Sequence, residues 1–72
     1  MQRFTARFRA ETEIEAAIKL RELGDFACAV HHETVNRKPM TAPVRGGEAE
    51  VPVDSCCYEA VVALERALNA AR

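Results

Sequence analysis

Apolar and polar residues alternate with a period of two near the N-terminus of this chain. Over residues 3–10 the apolar residues share one side of an extended chain: Phe4, Ala6, Phe8 and Ala10. The residues between them are three arginines and a threonine, which suit a solvent-facing side. Strict alternation is typical of a strand with one buried face, so the pattern predicts a strand here.

The C-terminal segment has its apolar residues at helical spacing instead. One face contains five of them: Cys57, Val61, Leu64, Leu68 and Ala71. Such a stripe predicts an amphipathic helix over 54–71 that packs against the rest of the chain. Asp54 is suited to cap the free N–H groups of its first turn.

A further helix is predicted over residues 11–23. Ile14 and Ile18 repeat at helical spacing and are expected to face the core. Thr12 is a candidate N-cap, and Gly24 is a typical stop signal after the last turn. The segment 26–35 that follows has small apolar residues on both faces, which predicts a strand inside the sheet.

A glycine pair, Gly46-Gly47, predicts a hairpin turn later in the chain. Folding the chain there places three apolar pairs on one face: Val44 with Ala49, Ala42 with Val51, and Met40 with Val53. Pro43 and Pro52 would then occupy positions that are normally hydrogen-bonded across the ladder. Either the hairpin is bulged and peripheral, or residues 40–45 form an irregular edge segment. In both cases a strand is predicted over 48–53.

Together these elements predict an α+β fold made of a single domain over residues 1–72. The expected architecture is a mainly antiparallel sheet of three or four strands, with two helices on one face. The element order is β-α-β-(β)-β-α.

Composition narrows the class of protein further. The chain has 72 residues, of which 49% are hydrophobic and 29% charged, with a net charge of −1. These values argue against disorder and against a global basic field that would attract nucleic acid or membrane. No apolar run approaches the roughly 20 residues of a membrane span. A chain this short is near the lower limit for a single core, so a homo-oligomer, most simply a dimer, is expected.

Cysteine use bears on the compartment. Three cysteines without a secretion signal fit a reducing cytoplasm better than a disulfide framework, so the predicted location is cytoplasmic.

Cysteine and histidine residues also suggest two kinds of chemistry, of which a zinc site is the first. Cys28-x-x-His31 has a spacing that suits two ligands, and Cys56 or Cys57 could add a third. On a strand, however, Cys28 and His31 point to opposite faces, and the helix register turns only Cys57 inward. The sequence therefore predicts packing roles, with no metal and no cofactor. Whether these residues or His32 do anything more stays open.

A cysteine nucleophile is the second kind of chemistry. Cys56 near a helix start, with His31 or His32 as a base, would suit that role. The acids Asp54 and Glu59 flank the thiol and push its pKa up, and no third group orients a histidine. The sequence predicts no catalytic residues and no enzyme.

Basic residues form the remaining candidate site. Three lie on the exposed face of the first strand and three in predicted turns: Arg3, Arg7, Arg9, Arg37, Lys38 and Arg45. We expect this set to bind a partner. The predicted function is a small non-catalytic interaction module that binds a larger protein, itself, or both. It would act as an adaptor or inhibitor, for example a mobile-element protein directed at host defence. The alternative is a nucleic-acid-binding protein that uses the same cations on phosphates.

Overall fold

The computed structural model of the protein describes residues 1–38 and 40–70. Six elements follow one another: β1 (Gln2–Arg9), α1 (Glu13–Glu22), β2 (Asn36–Arg37), β3 (Val44–Arg45), β4 (Glu48–Ser55) and α2 (Tyr58–Ala70). All strand pairs are antiparallel; β4 lies between β1 and β2 and also pairs with β3. The predicted α+β class and element order are confirmed.

The β1–β4 pair is the centre of the fold. The two strands pair along their whole length, from Gln2 opposite Ser55 to Arg9 opposite Glu48. Their alternating apolar residues, including Phe8 and Val51, are almost fully buried. Burying a large apolar side chain contributes roughly 1.5–3 kcal/mol, so this shared face is the main source of stability.

Helix α2 covers that face. Val61, Leu64 and Leu68 are each 0–1% exposed, which confirms the predicted apolar stripe. The predicted start of the helix was wrong: the segment before it continues β4, and Asp54 pairs with β1 instead of capping the helix. The predicted stripe member Ala71 lies outside the described residues.

On the side away from β1, β4 pairs with two short strands, β2 and β3. The hairpin pairs Val44 with Ala49 as predicted. This pairing does not extend to Val53, which lies opposite Arg37 of β2. The predicted pairing of Met40 with Val53 was therefore wrong. Pro52 lies between the β4 residues that pair with β3 and those that pair with β2, where its missing N–H breaks no ladder bond.

Helix α1 is capped as predicted but is turned differently. Thr12 is the N-cap and accepts the Glu15 N–H, and Gly24 takes the left-handed conformation after the helix with φ 69°. The prediction that Ile14 and Ile18 face the core was wrong, because they are 75% and 48% exposed. The face defined by Ala16, Lys19 and Leu20 is buried instead, and the Lys19 ammonium donates to the Arg9 carbonyl.

Residues 27–34 form a loop and not the predicted strand; we refer to them as the Cys28 loop. A single antiparallel bridge between Ala27 and Thr34 closes it. Inside it Cys28 N–H donates to the Glu33 carbonyl, and His32 N–H donates to the Cys28 carbonyl. His32 has a φ of 61°, so the chain reverses direction within the loop. In the described part of the chain, no helix is both long and apolar enough to cross a membrane.

Candidate metal centre

The Cys28 loop meets a second short turn at the end of β4. This turn consists of Cys56 and Cys57 and connects the last residue of β4, Ser55, to α2. The buried Ser55 hydroxyl donates to the Cys57 carbonyl (2.8 Å) and accepts the Cys57 N–H (3.4 Å). The two vicinal thiols are thereby held in one orientation.

Four donor atoms converge where the two turns meet. They are Sγ of Cys28, Nδ1 of His31, Sγ of Cys56 and Sγ of Cys57, and all lie within 4.8 Å of one another. Nδ1 of His31 is 3.5 Å from Sγ of Cys28 and 3.4 Å from Sγ of Cys56. Sγ of Cys57 is 3.8 Å from each of the other two sulfurs.

These separations match the edges of a tetrahedral zinc site. Zn–S bonds of about 2.3 Å and Zn–N bonds of about 2.0–2.1 Å give S···S edges of about 3.8 Å and S···N edges of about 3.6 Å. The four measured edges agree with those values. Three thiols and one imidazole are a ligand set that structural zinc sites use, and it fills all four positions.

Backbone hydrogen bonds favour the ionised form of the Cys28 thiol. The His31 N–H donates to Sγ of Cys28 at 3.4 Å. Bonds from the backbone N–H groups of His31 and Val30 lower the pKa of the Cys28 thiol to about 6, although burial acts in the opposite direction. Metal ligands require the thiolate form, and outer-shell hydrogen bonds that orient and stabilise a ligand are typical of metal sites.

The Cys56 thiol is in the opposite situation. Burial, together with the neighbouring Cys28 and Cys57 thiols, raises the pKa of the Cys56 thiol to about 11. Several thiolates in one small volume repel one another, and a divalent cation at their centre would remove that repulsion. Ionisation of Cys56 beside Cys28 is therefore favoured only in combination with a cation.

A cysteine nucleophile fits the same atoms less well. Cys56 and His31 are within contact distance, but the pKa of Cys56 is raised, whereas a nucleophile needs it lowered. The pKa of Cys28 is lowered, but this residue is only 4% exposed and offers a substrate no access. The arrangement is better suited to holding a metal than to attacking a substrate.

The expectation that these residues cannot converge was wrong for a specific reason. It assumed a strand over 26–35 and a helix that includes Cys56, and neither is present. A turn brings Cys28 and His31 to the same side, and the bend at Cys56 and Cys57, which precedes α2, lets both of their thiols lie next to that turn. The C-x-x-H spacing was the signal in the sequence, and His32 is not one of the four.

The predicted basic residues divide into two groups. Arg37 was expected in an exposed turn, and this was wrong: it lies in β2 and is 7% exposed. Its guanidinium donates to the carbonyls of Leu20 and Gly24, at the C-terminal end of α1. Burial lowers the pKa of Arg37, and the Asp25 carboxylate opposes that effect. The neighbouring Lys38 and, in β3, Arg45 are exposed.

The arginines of β1 each face an acid on β4. Arg3 is 2.7 Å from Asp54, and Arg7 is 2.8 Å from Glu50. Arg9 lies opposite Glu48 in the register. Opposite charges across a strand pair attract each other, so this ladder cancels the positive charge of the face.

The charge ladder bears on the alternative function. Phosphate binding depends on cations that are available to replace counterions, and the acids of β4 compete for them. Binding of a partner or of nucleic acid through Arg3, Arg7, Arg9, Lys38 and Arg45 stays a prediction. A salt-dependent mobility shift that is lost on charge reversal at Arg7 and Arg9 would support the nucleic-acid alternative.

Comparison with known proteins finds no relative from which a role could be transferred. No family model matches the chain, and no curated protein or solved structure matches it significantly. The geometry of Cys28, His31, Cys56 and Cys57 is therefore the main indication of function.

Proposed function

We propose that this protein is a non-catalytic, zinc-binding interaction module. One Zn²⁺ held by Cys28, His31, Cys56 and Cys57 would join the Cys28 loop to the start of α2. The observation that carries the proposal is the convergence of four donor atoms within 4.8 Å, with four of their six separations, at 3.4–3.8 Å, close to the edges of a zinc tetrahedron. Small domains with a limited core commonly use a structural metal for stability.

The ligand set also supports a particular metal and a particular role. Thiolate and imidazole in a tetrahedron favour zinc over hard cations such as Mg²⁺ or Ca²⁺. An iron–sulfur cluster would insert two irons and their sulfides between the ligands and needs a wider cage. Four protein ligands leave no coordination position for water, which is the arrangement of a structural site. Thiolate ligands persist in a reducing compartment, consistent with a cytoplasmic protein.

The interaction part of the proposal is supported by exposed apolar side chains beside the ligands. Val30, in the Cys28 loop, is 74% exposed, and Tyr58, directly after Cys57, is 64% exposed. Metal binding would fix the loop that presents Val30. A photo-crosslinker placed at Val30 should therefore capture a protein partner in the native host only when zinc is bound. Equal capture by zinc-free protein would contradict this part of the proposal.

Metal binding is tested directly on the purified, reduced chain. We expect one zinc per chain by elemental analysis and, after replacement by Co²⁺, the thiolate charge-transfer and tetrahedral ligand-field bands of a Cys₃His site. Cys57→Ser and His31→Gln should each weaken metal binding by more than about 100-fold, beyond the loss typical of outer-shell partners.

His32→Asn is the matched control for these variants. It removes a neighbouring imidazole, and asparagine tolerates the left-handed backbone at that position. Its metal affinity should equal that of the wild type. Substoichiometric zinc in the wild type, an octahedral Co²⁺ spectrum, or an equal loss of affinity in His32→Asn would overturn the proposal.

A further inference from the structure

Strand β1 is at the edge of the sheet, and side chains of α2 bond to its outward backbone groups only in its C-terminal half. The Arg7 N–H donates to the Glu65 carboxylate at 2.8 Å, and the Arg9 N–H donates to the Asn69 side-chain oxygen at 2.8 Å. These bonds are made by side chains of the helix, so they occupy the backbone donors that another strand would use. An edge strand protected in this way cannot pair further at Arg7 and Arg9.

The same bonds show which backbone groups in the N-terminal half of β1 point outward, away from β4. The Arg7 N–H points away from β4, so Arg7 and Glu50 form a non-hydrogen-bonded pair of the β1–β4 ladder. Pair types alternate along an antiparallel ladder, so the pairs formed by Thr5 and by Arg3 are of the same type. Pro52, opposite Thr5, has no N–H to give, which agrees with this assignment. The N–H and C=O groups of Arg3 and Thr5 therefore point outward, and the described residues supply them with no partner.

We propose that the chain forms a two-fold symmetric dimer by antiparallel pairing of residues 2–6 of β1 with the same residues of a second copy. In this register Arg3 lies opposite Thr5 of the second copy, and Phe4 lies opposite Phe4 of the second copy. Each copy supplies two outward donors and two outward acceptors, two residues apart, as an isologous antiparallel pair requires. The pairing forms four backbone hydrogen bonds.

Side chains around this edge match a second copy of the chain. Phe4 is half-buried and its ring is 6.0 Å from that of Tyr58, which is 64% exposed. In the dimer the two Phe4 side chains meet as a close, non-hydrogen-bonded pair, and aromatic cross-strand pairs are favourable. Arg3 meets a threonine and not another arginine, so no like charges face each other directly. The closed edge at Arg7 limits the pairing to this short segment.

The dimer is tested on the reduced chain, with and without added zinc, by sedimentation velocity and light scattering over a wide concentration range. Wild-type protein should pass from monomer to dimer as concentration rises. Thr5→Pro removes only the outward N–H, because the pair with Pro52 uses no bond at that position. Two hydrogen bonds are lost per dimer, so the dissociation constant should rise at least about tenfold. Thr5→Ala retains the N–H and should dimerise like the wild type.

Two further measurements keep the result interpretable if Thr5→Pro disturbs folding. In the wild type, the amide hydrogens of Arg3 and Thr5 should exchange more slowly as concentration rises, while that of Arg7 should not change. The double variant Ile14→Glu/Ile18→Glu, on the exposed face of α1, should still dimerise. A wild type that stays monomeric, unchanged exchange at Arg3 and Thr5, or a dimer abolished only by the α1 variant would overturn the proposal.

Discussion

The β1–β4–α2 layer and the Cys28 loop are held together in different ways. The layer has a strand pair eight residues long and a helix whose Val61, Leu64 and Leu68 side chains are fully buried. The loop has one backbone bridge, a few internal hydrogen bonds and mostly exposed side chains, and Cys28 is its buried residue. The first region is stable through burial of apolar surface. The second lacks such a source, and its Cys28 and His31 donor atoms instead lie within 4.8 Å of the Cys56 and Cys57 thiols.

The difference shows how a chain of this size can maintain an irregular segment. A segment with few buried apolar contacts opens at low free-energy cost, and a metal bound only by the closed form shifts that equilibrium. The two regions should therefore lose stability through different changes.

Leu64→Ala should have the largest effect, because it removes a fully buried side chain from α2. We expect the free energy of unfolding to fall by about 2–5 kcal/mol, with or without zinc. Urea denaturation followed by circular dichroism measures it. Arg66→Ala, on the exposed side of the same helix, is the control and should stay within about 0.5 kcal/mol of the wild type. Similar losses for both variants would contradict the assignment of the core.

Removing zinc should act mainly on the Cys28 loop. At free zinc 100-fold above the dissociation constant, chelation should lower the free energy of unfolding by about 2.7 kcal/mol. Hydrogen exchange should accelerate at the amides of Cys28 and His32 and stay slow along β1 and β4. Mg²⁺ should not restore protection, because thiolates bind hard cations poorly. Uniform acceleration through the sheet would show that the two regions are not separate.

Arg37→Met should cost about 1–3 kcal/mol of unfolding free energy, because it leaves the Leu20 and Gly24 carbonyls without their donor. Thermal unfolding at constant zinc measures the effect. Lys38→Met changes the exposed neighbour and should be close to neutral. If both variants were equally stable, the guanidinium would not hold the end of α1 in place.

Arg7→Gln should have the smallest effect, below about 1 kcal/mol, because its ion pair with Glu50 is half-exposed to solvent. The difference from the wild type should shrink further at high salt, since ions screen exposed charges. Denaturation at two salt concentrations measures this. A large, salt-independent loss would mean that the charge ladder contributes to the core and not only to the surface.

From local sequence patterns alone we could predict the α+β class, the positions of β1, α1, β4 and α2 to within a few residues, and the buried faces of β1 and α2. Strict alternation, helical spacing, the Thr12 cap and the Gly46-Gly47 turn each depend on neighbouring residues alone. Local patterns suffice when one face is clearly apolar, because burial of that face leaves few other arrangements.

Long-range contacts, by contrast, determine the path of the Cys28 loop, the rotation of α1 and the position of Arg37. Small residues on both sides of 26–35 suit a strand or a tight loop equally, and the bridge from Ala27 to Thr34 with its reversal at His32 selects the loop. That choice brings Cys28 and His31 to the turn at Cys56 and Cys57, more than twenty residues along the chain. Convergence over such a distance depends on where β4 ends relative to the loop, and no local pattern records that.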